Sequence, residues 1–201
     1  MIETALGHDG QLRCAWCAGR PLYEHYHDHE WGFPVTDDRR LFEKVSLEAF
    51  QAGLSWYTIL QKRENFRAAF AQFDFEAVAQ FAETDVKRLL QDQGIVRHRG
   101  KIEAVIHNAA RAIEMVQQEG SLAAFFWRFA PQQDSDGTQL LAQTPESKAL
   151  SKELKRRGWK FVGPTTCYAF MQSMGMVNDH AAACVTRAAV AQSKNGFQLP
   201  Q

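Results

Sequence analysis

Two pairs of residues that bind soft metals lie at opposite ends of this chain of 201 residues. Cys14 and His27 are near its start, and His180 and Cys184 are near its finish. The second pair has a His-x₃-Cys spacing, which would place both side chains on one face of a helix. Thiolates and imidazoles form tetrahedral Zn²⁺ sites, and four protein ligands are typical of structural zinc. Such a site would require the fold to bring both ends of the chain together.

The spacing by itself leaves two alternatives open. Buried cysteines are common in protein cores, and the seven histidines of this chain offer many accidental pairings. The sequence also contains a Cys-x-x-Cys pair, so a different ligand set is permitted, made of Cys14, Cys17, His180 and Cys184. An ordinary core and two zinc sites are therefore compatible with this pattern.

Composition restricts the class of protein. The length fits a single domain over residues 1–201, and 45% hydrophobic residues can build a substantial core. The formal net charge is zero, so nucleic acid would have to be bound by a local basic patch. No apolar run is long enough to span a membrane, and the start of the chain lacks the pattern of a signal peptide. We expect a cytoplasmic, monomeric protein with reduced cysteines.

The apolar residues recur at helical spacing and nowhere alternate convincingly with a period of two, so we predict an all-α fold. Asp74 and Thr84 are expected to cap the helices that follow them, and Gly53 to interrupt the first long helical segment. The predicted helical segments are 38–65, 66–70, 75–82, 85–93, 101–119, 121–129, 147–157 and 165–174. Residues 130–146 read as a loop, and we expect residues 1–12 and 186–201 to be poorly ordered.

A predicted helix–hairpin–helix over about residues 147–175 contains a local basic patch. Gly163 would let a phosphate approach the backbone closely, and the N–H groups of Thr165 and Thr166 would open the second helix toward it. Five cations surround this hairpin: Lys152, Lys155, Arg156, Arg157 and Lys160. Such a motif binds the DNA backbone without reading bases. The alternative is an ordinary helical hairpin with a solvated basic face.

Aromatic residues cluster around a few carboxylates in the first third of the chain. The two segments are YEHYHDHEWG, residues 23–32, and LEAFQAGLSW, residues 47–56. Rings that stack on a flat ligand, with a carboxylate for its positive edge, would form a pocket for a flat, cationic ligand. Glu48 is the candidate carboxylate, because it lies mid-helix among apolar residues. Alternatively, the aromatic residues belong to the core and Glu48 lies on the surface.

These motifs resemble the 3-methyladenine DNA glycosylase I family of the helix–hairpin–helix glycosylase superfamily. The resemblance runs from about Arg13 to Cys184 without large gaps. Besides the two aromatic segments, it includes RCAW at 13–16, GIVRHRGKI at 94–102, FVG at 161–163 and VNDH at 177–180. Residues 1–12, Cys17 and the tail after Cys184 depart from the family pattern.

The resemblance implies an enzyme that hydrolyses the N-glycosidic bond of 3-methyladenine in alkylated double-stranded DNA and releases the free base. It implies a structural Zn²⁺ on Cys14, His27, His180 and Cys184, which favours His27 over Cys17. Glu48 matches the carboxylate that recognises the base, and we take it as the candidate catalytic residue. The matching pocket aromatics are Tyr23, Tyr26 and Trp56, with Trp16 and Trp31 in the wall.

The chemistry fits this set of residues. A duplex base must be flipped out before it can be attacked, at a cost of roughly a few kcal/mol. Because N3-methylation makes adenine cationic, the base leaves as a neutral molecule without a general acid. Many superfamily members carry a catalytic Asp where this chain has Asn178, followed by Asp179. Strand-cleaving members carry a lysine where it has Thr165, so we predict a monofunctional hydrolase.

Two further expectations concern DNA and the competing functions. The turn at Gly53 and Leu54 should reach the base stack, with Leu54 filling the space that the flipped base vacates. A non-catalytic module that binds damaged DNA would have no use for an aromatic pocket with a carboxylate. A zinc-dependent hydrolase would need an open coordination position, which four protein ligands do not leave.

Overall fold

Helices form most of the structure, a computed structural model that describes residues 2–200. They are α1 Pro21–His29, α2 Asp38–Gln51, α3 Trp56–Gln61, α4 Arg63–Ala69, α5 Phe75–Val78, α6 Glu83–Gln91, α7 Arg99–Glu119, α8 Leu122–Phe126, α9 Pro145–Arg156, α10 Pro164–Ser173 and α11 Arg187–Asn195. Two short antiparallel strands, β1 Thr4–Leu6 and β2 Leu12–Cys14, precede them. In the described residues, no helix combines the length and the apolar character needed to cross a membrane.

Capping residues explain where several helices begin. Asp74 accepts hydrogen bonds from the N–H groups of Glu76 and Ala77, as its position before an apolar segment predicts. Ser121 caps α8 in the same way, and Pro164 occupies the first turn of α10. The expectation for Thr84 is wrong. The helix α6 begins at Glu83, because the Asp85 carboxylate accepts a hydrogen bond from the Ala82 N–H at 3.1 Å.

The core is built around α2, which packs against α3, α7, α8 and α10. Fully buried phenylalanines fill the spaces between these helices: Phe42, Phe50, Phe66, Phe70, Phe73, Phe125, Phe126 and Phe170. The ring centroids of Phe126 and Phe170, on α8 and α10, are 4.7 Å apart. Burying each phenylalanine side chain contributes on the order of 1.5–3 kcal/mol to the stability of the fold, so this cluster fixes the orientation of α2 and α10.

Both ends of the chain are more ordered than the sequence predicts. Residues 4–6 pair with residues 12–14, where the sequence predicts a poorly ordered start, while the fold remains almost entirely helical as predicted. The expected polar tail contains α11, whose Val190 is fully buried. Contacts with distant residues explain both differences. The Ile2 N–H donates to the Thr138 carbonyl at 3.1 Å, and Asn178 Nδ2 donates to the Arg187 carbonyl at 3.1 Å.

The segment that contains His180 and Cys184 is not helical, contrary to the prediction from its spacing. The N–H groups of this segment do not form the hydrogen bonds of an α-helix, in which each N–H donates to the carbonyl four residues earlier. That of Ala182 donates to the Gly137 carbonyl at 3.1 Å, and that of Cys184 to the Ala181 carbonyl at 2.9 Å. The two side chains therefore come together through turns.

Candidate functional site

A cavity open to solvent lies where the chain from Trp16 to α1 meets α2, α3 and α10. Its volume is about 190 Å³. The lining residues are Ile2, Trp16, Tyr23, Tyr26, Trp31, Glu48, Gln51, Trp56, Leu140, Ala169, Gln172 and Asp179. All five aromatic residues predicted for a pocket are in this set, together with Glu48. We call it the base cavity.

The aromatic rings line the wall of the base cavity in two groups of contacting rings. Trp16 packs edge-on against Tyr23 and Trp31, with ring centroids 4.8 Å and 5.1 Å apart. Tyr26 lies 5.4 Å from Trp56 on the side nearer α2. Buried polarisable faces of this kind can stack on a planar ligand.

Glu48 is buried at the edge of this wall, only 5% exposed, and its counter-ion is Lys44. Lys44 Nζ lies 2.8 Å from Glu48 Oε1 and donates a hydrogen bond to the Tyr26 hydroxyl at 2.8 Å. The same ammonium is 3.1 Å from the centre of the Trp56 ring. Burial lowers the pKa of Lys44 to about 8, and the Glu48 carboxylate opposes that shift. Our sequence analysis missed Lys44, although its i, i+4 spacing to Glu48 is the signal of an ion pair.

Asp179, and not Asn178, faces the base cavity. Asp179 Oδ2 accepts hydrogen bonds from the Tyr168 hydroxyl and from Gln172 Nε2, the latter at 2.7 Å. Its other oxygen, Oδ1, is buried at the cavity with no hydrogen-bond partner among residues 2–200. Asn178 is turned the other way, toward His180 and Arg187.

A second, shallower cavity connects Glu48 with the predicted DNA contacts. It is lined by Glu48, Gln51, Ala52, Gly53, Leu54, Thr165, Thr166 and Ala169. Gly53 has a φ of +83°, which allows the sharp turn after α2 and leaves Leu54 43% exposed. Lys101 supports this turn, because its Nζ donates to the carbonyls of Phe50 at 2.9 Å and Ala52 at 2.6 Å.

The connection between α9 and α10, residues 157–163, is held by side chains of neighbouring helices. Asn108 bonds both backbone groups of Lys160, accepting from its N–H at 2.8 Å and donating to its carbonyl at 3.0 Å. A side chain on Gly163 would meet open space, so this glycine is not needed for internal packing. Lys160 and Thr165 are exposed beside it.

Ion pairs reduce the predicted basic patch. Arg156 and Arg157 both bind Glu153, with shortest N–O distances of 2.6 Å and 2.8 Å, and Arg157 also pairs with Glu119. Three cations of the patch form no ion pair within residues 2–200: Lys152, Lys155 and Lys160. A phosphate would therefore meet mainly these lysines.

Three of the four predicted metal ligands converge. The ligand atoms of Cys14, His27 and Cys184 all lie within 4.8 Å of one another, and all three residues are buried. They come from β2, α1 and the turn before α11. His27 Nδ1 is 2.7 Å from the Asp28 carboxylate, which leaves Nε2 directed toward Cys184 at 3.5 Å.

His180, the fourth predicted ligand, lies beside this cluster. Its ring centroid is 4.8 Å from that of His27, and its Nδ1 is 3.0 Å from Asn178 Oδ1. Its Nε2 is buried without a partner among the described residues, which is the state of a nitrogen that needs a metal. Gly32 makes room for this ring, since a Cβ there would lie 2.8 Å from His180 Cε1. The four residues can hold a zinc ion.

Protonation in this cluster is consistent with metal binding. A hydrogen bond from the Cys14 thiol and the neighbouring His27 lower the pKa of Cys184, and the same hydrogen bond raises the pKa of Cys14. Burial lowers the pKa of His180 to about 4, so its imidazole is neutral at neutral pH. The Cys17 sulfur instead donates to the Cys14 carbonyl at 3.1 Å, and burial raises its pKa to about 12. The geometry favours His27 over Cys17.

The family follows from comparison with known proteins. Residues 16–188 match the family model described as methyladenine glycosylase. The chain belongs to this family. It is 52% identical over 177 residues to DNA-3-methyladenine glycosylase 1 of Escherichia coli K12, covering 86% of this chain and 95% of that protein. It is 45% identical over 177 residues to DNA-3-methyladenine glycosylase of Haemophilus influenzae, covering 86% and 96%.

A solved structure gives the same assignment. The structure describing 3-methyladenine recognition by 3-methyladenine DNA glycosylase I of Staphylococcus aureus superposes with a TM-score of 0.81. It is 37% identical and covers 87% of this chain and 95% of that one. As a member of the methyladenine glycosylase family, the chain is an enzyme that hydrolyses N-glycosyl bonds.

The family match includes most of the site but not all of it. Glu48, Lys44 and Asp179 lie within residues 16–188, whereas Cys14 and Ile2 precede them. Ile2 reaches the base cavity because β1 pairs with β2 beside the metal cluster. Leu140 of the loop before α9 also lines the cavity. Neither residue carries a sequence signal for this position.

Proposed function

We propose that this enzyme removes 3-methyladenine from alkylated double-stranded DNA, as the first step of base-excision repair. The observation that carries the proposal is the buried Glu48 carboxylate at the wall of an aromatic cavity open to solvent. The names of the relatives support the same substrate.

Recognition of the base rests on charge and stacking. Undamaged adenine and 3-methyladenine share the exocyclic amine, so a hydrogen bond to that group does not separate them. The methylated base is cationic while bonded to the sugar, and a buried carboxylate attracts that charge. Trp56 and Tyr26 supply rings on the Glu48 side of the base cavity, with Tyr23, Trp16 and Trp31 opposite.

Hydrolysis then needs stabilisation of a sugar cation and entry of water, because the base departs as a neutral molecule. Asp179 lines the base cavity, and its Oδ1 is buried and unpartnered among residues 2–200. We assign it the task of stabilising positive charge on the sugar or orienting the water. The reaction ends at hydrolysis, since Thr165 offers no amine for strand cleavage.

DNA would be held across the hairpin and the turn after α2. Lys160 and Gly163 are expected to meet the phosphate backbone, together with the N–H groups of Thr165 and Thr166 at the start of α10. Leu54, at the tip of the Gly53 turn, would enter the base stack from the rim of the shallower cavity. The two helices and their connection thus serve as a helix–hairpin–helix motif.

A structural zinc ion would be held by Cys14, His27, His180 and Cys184. The partner-free Nε2 of His180 and the convergence of the other three ligand atoms support this set. Four protein ligands leave no coordination position for a substrate, so the metal would stabilise the fold. No step of hydrolysis passes through it.

Release of free base from methylated duplex DNA tests the function. The enzyme should release 3-methyladenine, detected by chromatography, and Glu48→Gln should release it much more slowly while remaining folded with unchanged zinc content. Glu64→Gln, whose side chain is 77% exposed on α4, is the matched control. Binding of methylated DNA without any base release would instead indicate a non-catalytic module. Equal release by Glu48→Gln and the parent would remove Glu48 from the site.

A further inference from the structure

Lys44 lies one helical turn before Glu48 on α2, and its ammonium group is almost fully enclosed. The side chain is 7% exposed, and Nζ has three close neighbours. They are the Glu48 carboxylate at 2.8 Å, the Tyr26 hydroxyl at 2.8 Å and the face of Trp56 at 3.1 Å. Each neighbour of this ammonium also lines the base cavity.

Lys44 does not line the base cavity itself. It lines a small charged cavity on the other side of Tyr26 and Trp56, whose two rings border both spaces. The Lys44 ammonium therefore lies behind the wall that would hold a cationic base. Glu48 contacts this ammonium and also lines the base cavity.

Four of the five other charged groups around the small cavity are paired with one another. Arg63 binds Glu30 at 2.6 Å, and Arg67 binds Glu43 at 2.8 Å, while Arg40 lines the same space without an ion pair among residues 2–200. Glu30 directly follows α1, and the other four groups lie on α2 and α4. Lys44 is left as the direct counter-ion of Glu48.

A carboxylate that is 5% exposed needs a partner to stay ionised. Without one, desolvation favours the protonated acid, because burying an unpaired charge is expensive. The cationic base can be that partner only after it has been flipped out and bound. In the empty enzyme, the charge of Glu48 must be stabilised by a resident cation.

We propose that Lys44 is a positioning residue for base recognition: it keeps Glu48 ionised and directed at the base cavity before the base arrives. The inference rests on the proposed function of Glu48. If Lys44 has this role, the parent enzyme releases no proton from Glu48 when it binds a cationic base. Burial lowers the pKa of Lys44 to about 8, so this ammonium is charged at neutral pH and below.

The variant Lys44→Met removes the cation and keeps a long apolar side chain. Glu48 should then take up a proton in the empty cavity and release it when a cationic base binds. One released proton makes affinity rise by up to about tenfold for each pH unit. Parent affinity for the same ligand should be nearly constant over the same range.

The experiment measures ligand affinity by calorimetry between about pH 5.5 and about pH 7.5, below the pKa of Lys44. The ligand is the 3,9-dimethyladeninium cation, in which a methyl group replaces the sugar. 9-Methyladenine, which carries no charge over this pH range, is the neutral control ligand. Lys44→Gln repeats the test with a side chain that can still bond Tyr26, should the Met variant be unstable. The double variant Lys44→Met/Glu48→Gln identifies the titrating group.

The expected result is a pH-dependent affinity for the cation in both neutral Lys44 variants. At the acidic end, their affinity should be at least about tenfold weaker than that of the parent. The double variant and the neutral ligand should show no such slope. Affinities of Lys44→Met and Lys44→Gln that match the parent at every pH would overturn the inference, as would a slope that persists in the double variant. A parent enzyme that binds the cation no more tightly than the neutral control ligand would overturn the proposed function itself.

Discussion

Lys44 and Glu48 illustrate the cost of a charged pair in an apolar wall. Neither side chain is more than 7% exposed, and their mutual contact is 2.8 Å. Buried ion pairs commonly contribute little net stability, because desolvation offsets the attraction. The pair is therefore better explained by ligand recognition than by stability of the fold.

This pair predicts a dependence of stability on pH. Burial lowers the pKa of Lys44 from its ordinary 10.5 to about 8, which corresponds to roughly 3 kcal/mol. Between these values the unfolded chain binds more protons at this residue than the folded chain does. The free energy of unfolding contributed by Lys44 should therefore rise with pH from about 8 to about 10, and the gain should be lost as pH falls through about 8.

Urea unfolding of the parent and of Lys44→Met/Glu48→Gln measures this contribution. The stability of the double variant relative to the parent should fall between about pH 8 and about pH 10, since only the parent loses this proton. Other buried groups, such as Lys101, titrate in both proteins and cancel. A difference that does not change with pH would show that Lys44 titrates like a solvated lysine.

At the scale of elements, the turn between α2 and α3 joins the base cavity to the outer surface. Lys101 binds the last carbonyls of α2, and Ser55 caps α3 by accepting a hydrogen bond from the Thr58 N–H at 3.2 Å. The turn is therefore anchored on both sides while its tip, Leu54, stays exposed. An anchored apolar tip is suited to inserting into a base stack.

Leu54→Ala should weaken binding to lesion-containing duplex DNA more than it slows excision from single strands. The reason is that only a duplex leaves a stacked space to be filled when the base is flipped. Binding to a methylated duplex and base release from both substrates provide the measurement. Leu22→Ala is the matched control, because Leu22 is 42% exposed and Leu54 is 43% exposed. Equal losses on duplex and single strands would exclude the wedge role.

At the scale of the whole molecule, the cluster of candidate metal ligands, Cys14, His27 and Cys184, joins three parts of the chain. It connects β2 and α1 with the turn before α11, and Asp28 extends the connection. The Asp28 carboxylate accepts from His27 at 2.7 Å, from Arg13 Nη2 at 2.7 Å and from Thr186 Oγ1 at 3.0 Å. Loss of the metal should therefore loosen both ends of the chain together.

Replacing two neighbouring candidate ligands tests this role. His27→Ala should lose bound zinc and lower Tm, because it removes a ligand from a site that contributes to folding. Cys17→Ala should keep its zinc, since the Cys17 sulfur is bonded to a carbonyl. Zinc content by atomic absorption and Tm by calorimetry are the measurements. Zinc loss confined to Cys17→Ala would reverse the ligand assignment.

Local sequence determined several helix starts, because caps, glycines and apolar spacing act over a few residues. Asp74, Ser121 and Pro164 each mark a helix start that the structure confirms. Family membership was also evident from the sequence, since the motifs that carry the resemblance are long. The aromatic residues and Glu48 could be selected from two short segments for the same reason.

Tertiary structure alone decided the features that depend on distant partners. Polar termini became β1 and α11 because residues far along the chain satisfy their hydrogen bonds and bury Val190. His180 and Cys184 lie in turns, because the N–H groups of their segment donate to distant residues or to carbonyls three residues earlier. Asp179, rather than Asn178, faces the base cavity, and Lys44 occupies the space behind its wall. Spacing along a chain specifies which residues share a helix face, but the environment of that face depends on which other elements pack against it.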